Sequence, residues 1–378
     1  MQHMTYLHPI KIFNNGDEYF ECLIEDIRRA QKSITIETYI FTLDKLTRQI
    51  LEELGLARGR GVDVKLIVDG FGSYFEIPEI LEICNQKNIE MRIFHPLPRP
   101  LIWFLSSPLV KSNTLLRRMN RRNHRKISIF DEKRAYLGSL NFSGAHIGPH
   151  AWRDTGVSVE GEGVKALIVA FHITYLRTFQ RGVLKMLTRH KWLGTYDPTD
   201  SQVRLNTTIK MRHRIYKGLL RRMQYSQKRI YITSAYFLPK RKILGALISA
   251  ARRGVDVRIL IPGKSDVPIV KWAALHILKM LSQRGVRIFE YQKSILHAKT
   301  MMIDNEGFIG SFNLNHRSLL HDLEVEVVLK DPESLTTLET QWNEDLANSV
   351  EVGAKHFTPT SVILRMIHRL AFKLRYML

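Results

Sequence analysis

The sequence predicts an α/β protein of two similar domains with mixed, mostly parallel sheets, related by a pseudo-twofold. Two observations carry this. One paragraph of sequence is written twice, and within each copy short β-branched runs alternate with amphipathic stretches, the pattern of βαβ units. The length of 378 residues agrees, at roughly 150 residues per domain.

Taken in order, the first copy opens with Ile34–Phe41, passes through a helical stretch and reaches Arg60–Val68. The second opens with Ile230–Phe237 and reaches Arg253–Ile261 in the same way. Val64–Val68 and Arg258–Ile261 are apolar enough to be buried central strands. A further strand follows in each copy, Met91–Phe94 and Val286–Phe289. Between Ala246 and Gly254, Leu247, Ile248 and Ala251 fall at helical spacing and form a core face; the Trp-, Leu- and Met-rich helix around Val270–Leu281 is packing too. The expected division is 1–190 for the first domain, 191–204 for a linker with Gly194, Pro198 and several Asp and Thr residues, 205–350 for the second domain, and 351–378 for a basic amphipathic tail.

Composition narrows the partner. Hydrophobic residues at 44% and charged ones at 25% exclude a disordered chain. Fifty-seven Lys+Arg against 36 Asp+Glu leave +21, which calls for a polyanion, either nucleic acid or an anionic membrane. Two cysteines, Cys22 and Cys84, exclude a disulfide scaffold or a four-Cys zinc site and fit a reducing compartment. No secretory signal or uninterrupted apolar span is present; Val164–Phe179 is broken by Lys165, His172 and Arg177.

The chemistry lies in a second repetition. His124-x-Lys126-x4-Asp131 precedes Gly138-Ser139-x-Asn141, and His297-x-Lys299-x4-Asp304 precedes Gly310-Ser311-x-Asn313. Residues two apart on a strand share a face, so each copy offers an imidazole, an ammonium and neutral donors at one rim, with small residues that let a ligand approach. An acid follows each copy, Asp154 30 positions after its histidine (154 − 124) and Glu324 27 after its own (324 − 297). Either could hold the imidazole Nδ1–H and leave Nε2 as a nucleophile. Two lysines suit the non-bridging oxygens of a phosphodiester. One histidine would attack phosphorus while the other protonates the leaving alcohol and then serves as base for the incoming one. The separated carboxylates predict no metal site and no cofactor.

These duplicated segments resemble the HKD motif of the phospholipase D superfamily, over about Lys11 to Asn348. Asp69–Ser73, Ser234–Pro239 and Asp266–Val270 are similar to bacterial cardiolipin synthases, in the shorter form without N-terminal transmembrane helices. The resemblance implies two phospholipase D-like domains with one active site at their interface. It makes His124 the nucleophile and His297 the acid/base, and counts Lys126, Lys299, Asp131 and Asp304 with the catalytic set. We expect Lys126, Lys299, Asn141 and Asn313 to hold phosphate with Ser139 and Ser311 beside them. The aspartates should pair with nearby backbone or basic groups. One departure is visible: Asp304 to Gly310 is one residue shorter than Asp131 to Gly138, which leaves the second strand register open.

The superfamily also holds nucleases, so lipid must be argued. Leu101, Ile102, Trp103, Phe104 and Leu105 form an apolar insert before the first motif, suited to an interfacial loop or acyl groove, or else to a buried inter-domain plug. Arg117, Arg118, Arg121, Arg122 and Arg125 follow, the basic half of a two-part membrane attachment. In the tail, Ile363, Met366, Ile367, Leu370, Leu374 and Met377 make an apolar stripe with Arg365 and Arg369 beyond it; it would lie in headgroups or dock on the protein. The expected enzyme is a metal-independent phosphatidyltransferase, peripheral on the cytoplasmic face of a bacterial inner membrane. It would act on phosphatidylglycerol in an anionic bilayer, with no nucleic-acid partner. A phospholipase D hydrolase and a basic HKD nuclease are the competing enzymes.

Overall fold

The computed structural model describes residues 11–97, 121–179, 201–358, 366 and 371–372. Two sheets organise it. The first contains β1 (Lys11–Phe13), β2 (Ser33–Thr38), β3 (Asp63–Asp69), β4 (Glu90–Phe94), β5 (Ile127–Phe130), β6 (Arg134–Gly138) and β7 (Gly156–Glu160), in the spatial order β1-β7-β6-β5-β2-β3-β4. The second contains β8 (Val203–Leu205), β9 (Arg229–Ser234), β10 (Asp256–Pro262), β11 (Arg287–Tyr291), β12 (Lys299–Ile303), β13 (Glu306–Gly310), β14 (Val325–Leu329) and β15 (Ser349–Glu351). Its order is β15-β11-β10-β9-β12-β13-β14-β8. Val203 and Arg204, read above as the end of the linker, thus belong to an edge strand.

The sheets are mixed, but antiparallel pairing prevails over the expected parallel majority. Among the described strands, only β2–β3–β4 and β9–β10–β11 run parallel. The strands that carry and follow each motif are joined by tight turns, which force antiparallel neighbours. The one-residue difference between the copies sits in such a turn: residues 131–133 separate β5 from β6, and 304–305 separate β12 from β13. Asp131 (φ 49°) and Asp304 (φ 50°) occupy the same left-handed first position, so the strand register after the second motif is preserved.

Helices α1 (Gly16–Arg29), α2 (Lys45–Gly59) and α3 (Ile77–Gln86) cover the outer face of the first sheet, and α4 (Glu162–Leu176) its inner face. In the second half come α5 (Ile209–Tyr225), α6 (Arg241–Arg252), α7 (Pro268–Ser282), α8 (His316–Leu320) and α9 (Pro332–Ala347). Local chemistry starts several of them: Asp44 and Thr47 form a reciprocal capping box on α2, and Asp331 caps α9. α4 and α9 lie between the sheets and touch strands of both. A continuous core therefore runs from Ile127, Leu137 and Val157 through Leu167 and Phe171 to Val325, Leu338 and Trp342. The interrupted run at Val164–Phe179 is thus mostly a core helix, and among the described residues no helix is long and apolar enough to cross a membrane.

Candidate active site

Each His-x-Lys segment enters its strand at the rim where the parallel strands end; Ile127 pairs with Glu37 near the end of β2, and Lys299 with Ser234 at the end of β9. The two rims face each other and are stitched by backbone. The Leu323 N–H donates to Arg122 O (2.9 Å), and the His124 N–H to Leu323 O (3.0 Å). In the mirror arrangement the Arg153 N–H donates to Ile295 O (2.8 Å), and the His297 N–H to Arg153 O (2.8 Å).

This stitching decides which acid meets which histidine. Leu323 precedes Glu324 and Arg153 precedes Asp154, so each histidine meets the acid of the other half. His124 Nδ1 lies 3.2 Å from Glu324 Oε2, and His297 Nδ1 lies 2.8 Å from Asp154 Oδ1. Both acids are buried. Lys126 and Lys299 each turn the ammonium back onto the carbonyl of their own histidine, Lys126 at 2.7 Å.

The serines sit elsewhere than expected. Ser139 Oγ donates to Thr155 O (3.2 Å) and accepts from Thr155 N–H (3.0 Å), which uses it to fasten the start of β7. Ser311 Oγ donates to the Glu324 carboxylate and accepts from Val325 N–H (3.1 Å). The glycines before them serve the same close approach, since a Cβ on Gly138 would collide with Thr155 O and one on Gly310 with Val325 O. A neighbouring strand, and not a ligand, demands the small residue. Asn141 Oδ1 accepts from Ile40 N–H (3.3 Å), whereas Asn313 Oδ1 is buried with no hydrogen-bond partner among the described residues.

Asp131 and Asp304 lie at the far ends of β5 and β12. Asp131 accepts from the N–H groups of Gln31, Lys32 (2.7 Å) and Ser33 (3.0 Å). Asp304 accepts from those of Gln227, Lys228 (2.8 Å) and Arg229 (3.1 Å). These carboxylates anchor the turns that lead into β2 and β9. A whole strand separates them from the histidines, so their inclusion in the catalytic set is corrected to this anchoring contact.

Three side chains that sequence reasoning missed complete the site. His146 Nδ1 lies 2.8 Å from the second oxygen of Asp154. Tyr39 packs against His124 with ring centroids 4.9 Å apart, and Trp152 lies 5.5 Å from the His297 ring and 5.6 Å from that of His146. A signal for His146 existed: it stands five residues after Asn141 (146 − 141), as Ser318 stands five after Asn313 (318 − 313), both polar.

Burial and like charge shape the proton affinities. Burial, with Lys126 and Lys299 nearby, holds His124 well below the ordinary imidazole range. Burial, followed by Lys299, takes His297 down to about 4. Lys126 falls to about 7 and Lys299 to about 8, through burial in both and through Lys299 for Lys126. The two acids diverge. Burial pushes Glu324 up to about 7 despite Lys126. For Asp154 the same burial is overcome by His297 and His146, which hold it well below the usual carboxylate range.

Among the described residues, His146, Asp154 and His297 have ligand-type atoms close enough to share a cation, all within 4.8 Å of one another. Spacing did not announce this cluster. Its hydrogen bonds already use the atoms concerned, each imidazole Nδ1 facing a separate Asp154 oxygen.

The basic run before the first motif is also corrected. Arg122 is buried against Asp69, its Nη2 2.7 Å from Oδ1, and Arg125 is buried between Glu324 O (3.2 Å) and Thr207 Oγ1 (2.7 Å). Arg121 donates to Thr207 O (2.9 Å). Two of the five arginines, Arg121 and Arg125, thus bond across the two halves, and Arg122 holds Asp69 within the first. Arg117, Arg118, the insert Leu101–Leu105, and Arg365 and Arg369 lie outside the described residues. Of the tail, Ala371 is buried and Phe372 packs 5.2 Å from the His276 ring of α7, while Met366 is exposed. Ala371 and Phe372 thus dock on the second half; Ile363, Ile367, Leu370, Leu374 and Met377 lie outside the described residues.

Two α/β halves with paired His-x-Lys segments at one shared rim define a phosphoryl-transfer scaffold, and the comparisons with known proteins specify it. The family model described as cardiolipin synthase, PLD-like domain matches residues 23–165 and 219–346. A cardiolipin synthase of Staphylococcus aureus strain Mu50 is 32% identical over 368 residues, 96% of this chain and 72% of the relative. Cardiolipin synthase 2 of Staphylococcus epidermidis is 30% identical over 373 residues, 96% of this chain and 73% of the relative. Among solved structures, phosphatidylserine synthase of Haemophilus influenzae superposes with a TM-score of 0.72 at 13% identity, covering 98% of this chain and 95% of the other. Polyphosphate kinase of Porphyromonas gingivalis superposes with 0.59 at 15% identity, covering 96% and 56%. At such identities these two likenesses concern the fold alone. The chain belongs to the cardiolipin synthase family with phospholipase D-like domains, and is a phosphatidyltransferase-type enzyme.

Proposed function

We propose that the protein is a cardiolipin synthase working by two-step phosphatidyl transfer between phosphatidylglycerol molecules. His124 Nε2 attacks the phosphorus of the first lipid. The bond from phosphorus to the headgroup glycerol oxygen breaks, and His297, which takes up a proton once the anionic phosphodiester lies beside it and offsets Lys299, gives that proton to the oxygen, releasing glycerol. A hydroxyl of the second phosphatidylglycerol then loses its proton to His297 as its oxygen attacks, and the P–N bond breaks to give cardiolipin and free His124. Lys126 and Lys299 balance charge on the phosphoryl oxygens, with the Asn141 and Asn313 amides beside them.

The observation that carries this reading is the crossed pair of carboxylate–imidazole contacts, His124 with Glu324 and His297 with Asp154. A carboxylate on Nδ1 turns Nε2 into the reacting nitrogen. The order of roles draws support from the acids. An imidazolium in a proton-shuttling role needs a fixed negative neighbour, which Asp154 provides; Glu324, with its raised affinity, suits a histidine that stays neutral until it attacks.

A membrane setting is supported by Phe71 and Phe75, 58% and 88% exposed in the turn after β3. Together with +21 they fit an anionic bilayer on the cytoplasmic face, where phosphatidylglycerol would be both substrate and surface. Neither a cofactor nor a nucleic-acid partner enters the scheme.

The test is incubation of the purified chain with phosphatidylglycerol vesicles under EDTA, with products read by mass spectrometry beside H124A. Cardiolipin and glycerol in equal amounts are expected. Phosphatidic acid would make it a hydrolase, restoration only by a divalent ion would refute the metal-free scheme, and no lipid turnover would return the charge to nucleic acid.

A further inference from the structure

Asp154 is gripped from two sides, which Glu324 is not. One oxygen faces His297 Nδ1 and the other His146 Nδ1, each at 2.8 Å. Both imidazoles and the carboxylate are buried. The tautomer of His146 follows from its other nitrogen, because the Asn141 backbone N–H donates to Nε2 at 3.2 Å. A nitrogen that accepts carries no proton, so the proton sits on Nδ1 and is donated to Asp154. The surroundings fix this geometry. The Arg153 guanidinium bonds the Asp154 carbonyl and is itself forked onto Asp345 (2.8 and 2.9 Å), and Trp152 lies edge-on to both imidazoles.

We propose that His146 is a positioning residue for phosphatidyl transfer, a clamp that aims Asp154 at His297 and keeps the carboxylate ionised while His297 takes up and gives back a proton. The proposal rests on the reaction assigned to His297 above. With a donor on each oxygen, Asp154 can neither rotate nor take a proton cheaply, so the charge opposite an imidazolium is constant through both steps. At the matching place in the second half stands Ser318, and Glu324 receives the hydroxyl of Ser311 on one oxygen while its other oxygen is buried with no hydrogen-bond partner among the described residues. Hydroxyls grip a carboxylate without an imidazole's fixed direction. The clamp therefore distinguishes two half-sites that the repeat would otherwise leave interchangeable, and assigns the proton shuttle to His297.

The test combines two substitutions with one measurement on the unaltered protein. H146F removes both bonds, and H146Q can still donate to Asp154 and accept from Asn141. For phosphatidylglycerol turnover, H146F should lower kcat by about tenfold or more with KM nearly unchanged. It should also move the acid limb of kcat/KM to higher pH, because Asp154 loses a donor that held its proton affinity down. H146Q should recover most of the rate. Nitrogen-15 NMR of the histidine rings in the wild-type protein should show His146 as the Nδ1–H tautomer, which decides the matter even where H146F does not fold. H297A separates the two layers of the argument: an inactive H297A beside an H146F of wild-type kcat and pH profile overturns the clamp alone, as does a proton found on His146 Nε2. An active H297A overturns the assigned reaction and the clamp with it.

Discussion

The two halves of the site carry the same motif yet are buttressed by different chemistry. Around His297 stand an ionised Asp154, a second imidazole and an indole; around His124 stand a Glu324 whose proton affinity reaches about 7, the Ser311 hydroxyl and a tyrosine ring. The difference shows how a duplicated scaffold can acquire a division of labour. The backbone stitching is symmetric and brings each histidine to the opposite acid, while the residues behind the acids set how firmly each holds its charge.

The largest effects should come from the histidines themselves. H124A and H297A should each lower phosphatidylglycerol turnover by about a thousandfold or more. A substrate with a leaving group acidic enough to need no protonation separates them: H297A should recover release of that group and H124A should not. Equal rescue of both would break the assignment of roles.

Next come the acids. D154N should cost about a hundredfold or more in kcat, since it removes a fixed charge and offers the wrong donor to two imidazoles. E324Q should cost nearer tenfold, because a carboxyl with affinity near 7 is already partly neutral at working pH. A reversed ranking would mean that the proton shuttle belongs to His124.

The lysines sharpen the picture through pH. Lys126 at about 7 and Lys299 at about 8 lose their protons as pH rises through those values, and with them the attraction for an anionic substrate. In the free enzyme kcat/KM should therefore fall on the alkaline side with apparent values of about 7 to 8. Bound phosphate restores the charge, so kcat should fall later. A flat kcat/KM up to pH 10 would contradict the buried-ammonium account.

Stability offers another contrast. Asp69 at the end of β3 is buried with Arg122, whereas the matching end of β10 is Pro262. Asp69→Ala leaves that guanidinium uncompensated and should destabilise the fold by about 3–5 kcal/mol in denaturant unfolding. The smallest effect is expected at the surface, where F71S with F75S should weaken binding to anionic vesicles several-fold and leave turnover of a short-chain soluble lipid unchanged. Unaltered vesicle binding would remove this turn from the membrane contact.

Much of this was legible in the sequence, and the limits have physical reasons. Repetition places both motifs, both acids and the succession of strands and helices around them, because period-two runs and Gly-Ser-x-Asn turns are local signals. Which acid meets which histidine is a tertiary matter, decided by the Leu323 and Arg153 bridges, and a separation of some thirty residues carries no information on it. The Ser139 and Ser311 hydroxyls could not be aimed from sequence, since a serine beside a tight strand approach bonds backbone as readily as ligand. Arg122 and Arg125 look like surface charge until Asp69, Thr207 and the Glu324 carbonyl are seen beside them. Helix-separated strands suggested mostly parallel sheets, but short turns after each motif made antiparallel pairs prevail.

The most direct test of the account is rapid quenching of the enzyme with phosphatidylglycerol, followed by mass spectrometry of the peptide that spans residues 123–126. A phosphatidyl adduct on His124, formed and consumed at the rate of turnover and absent in H124A, is the predicted result. Turnover with the adduct on His297, or with H124A fully active, would contradict it.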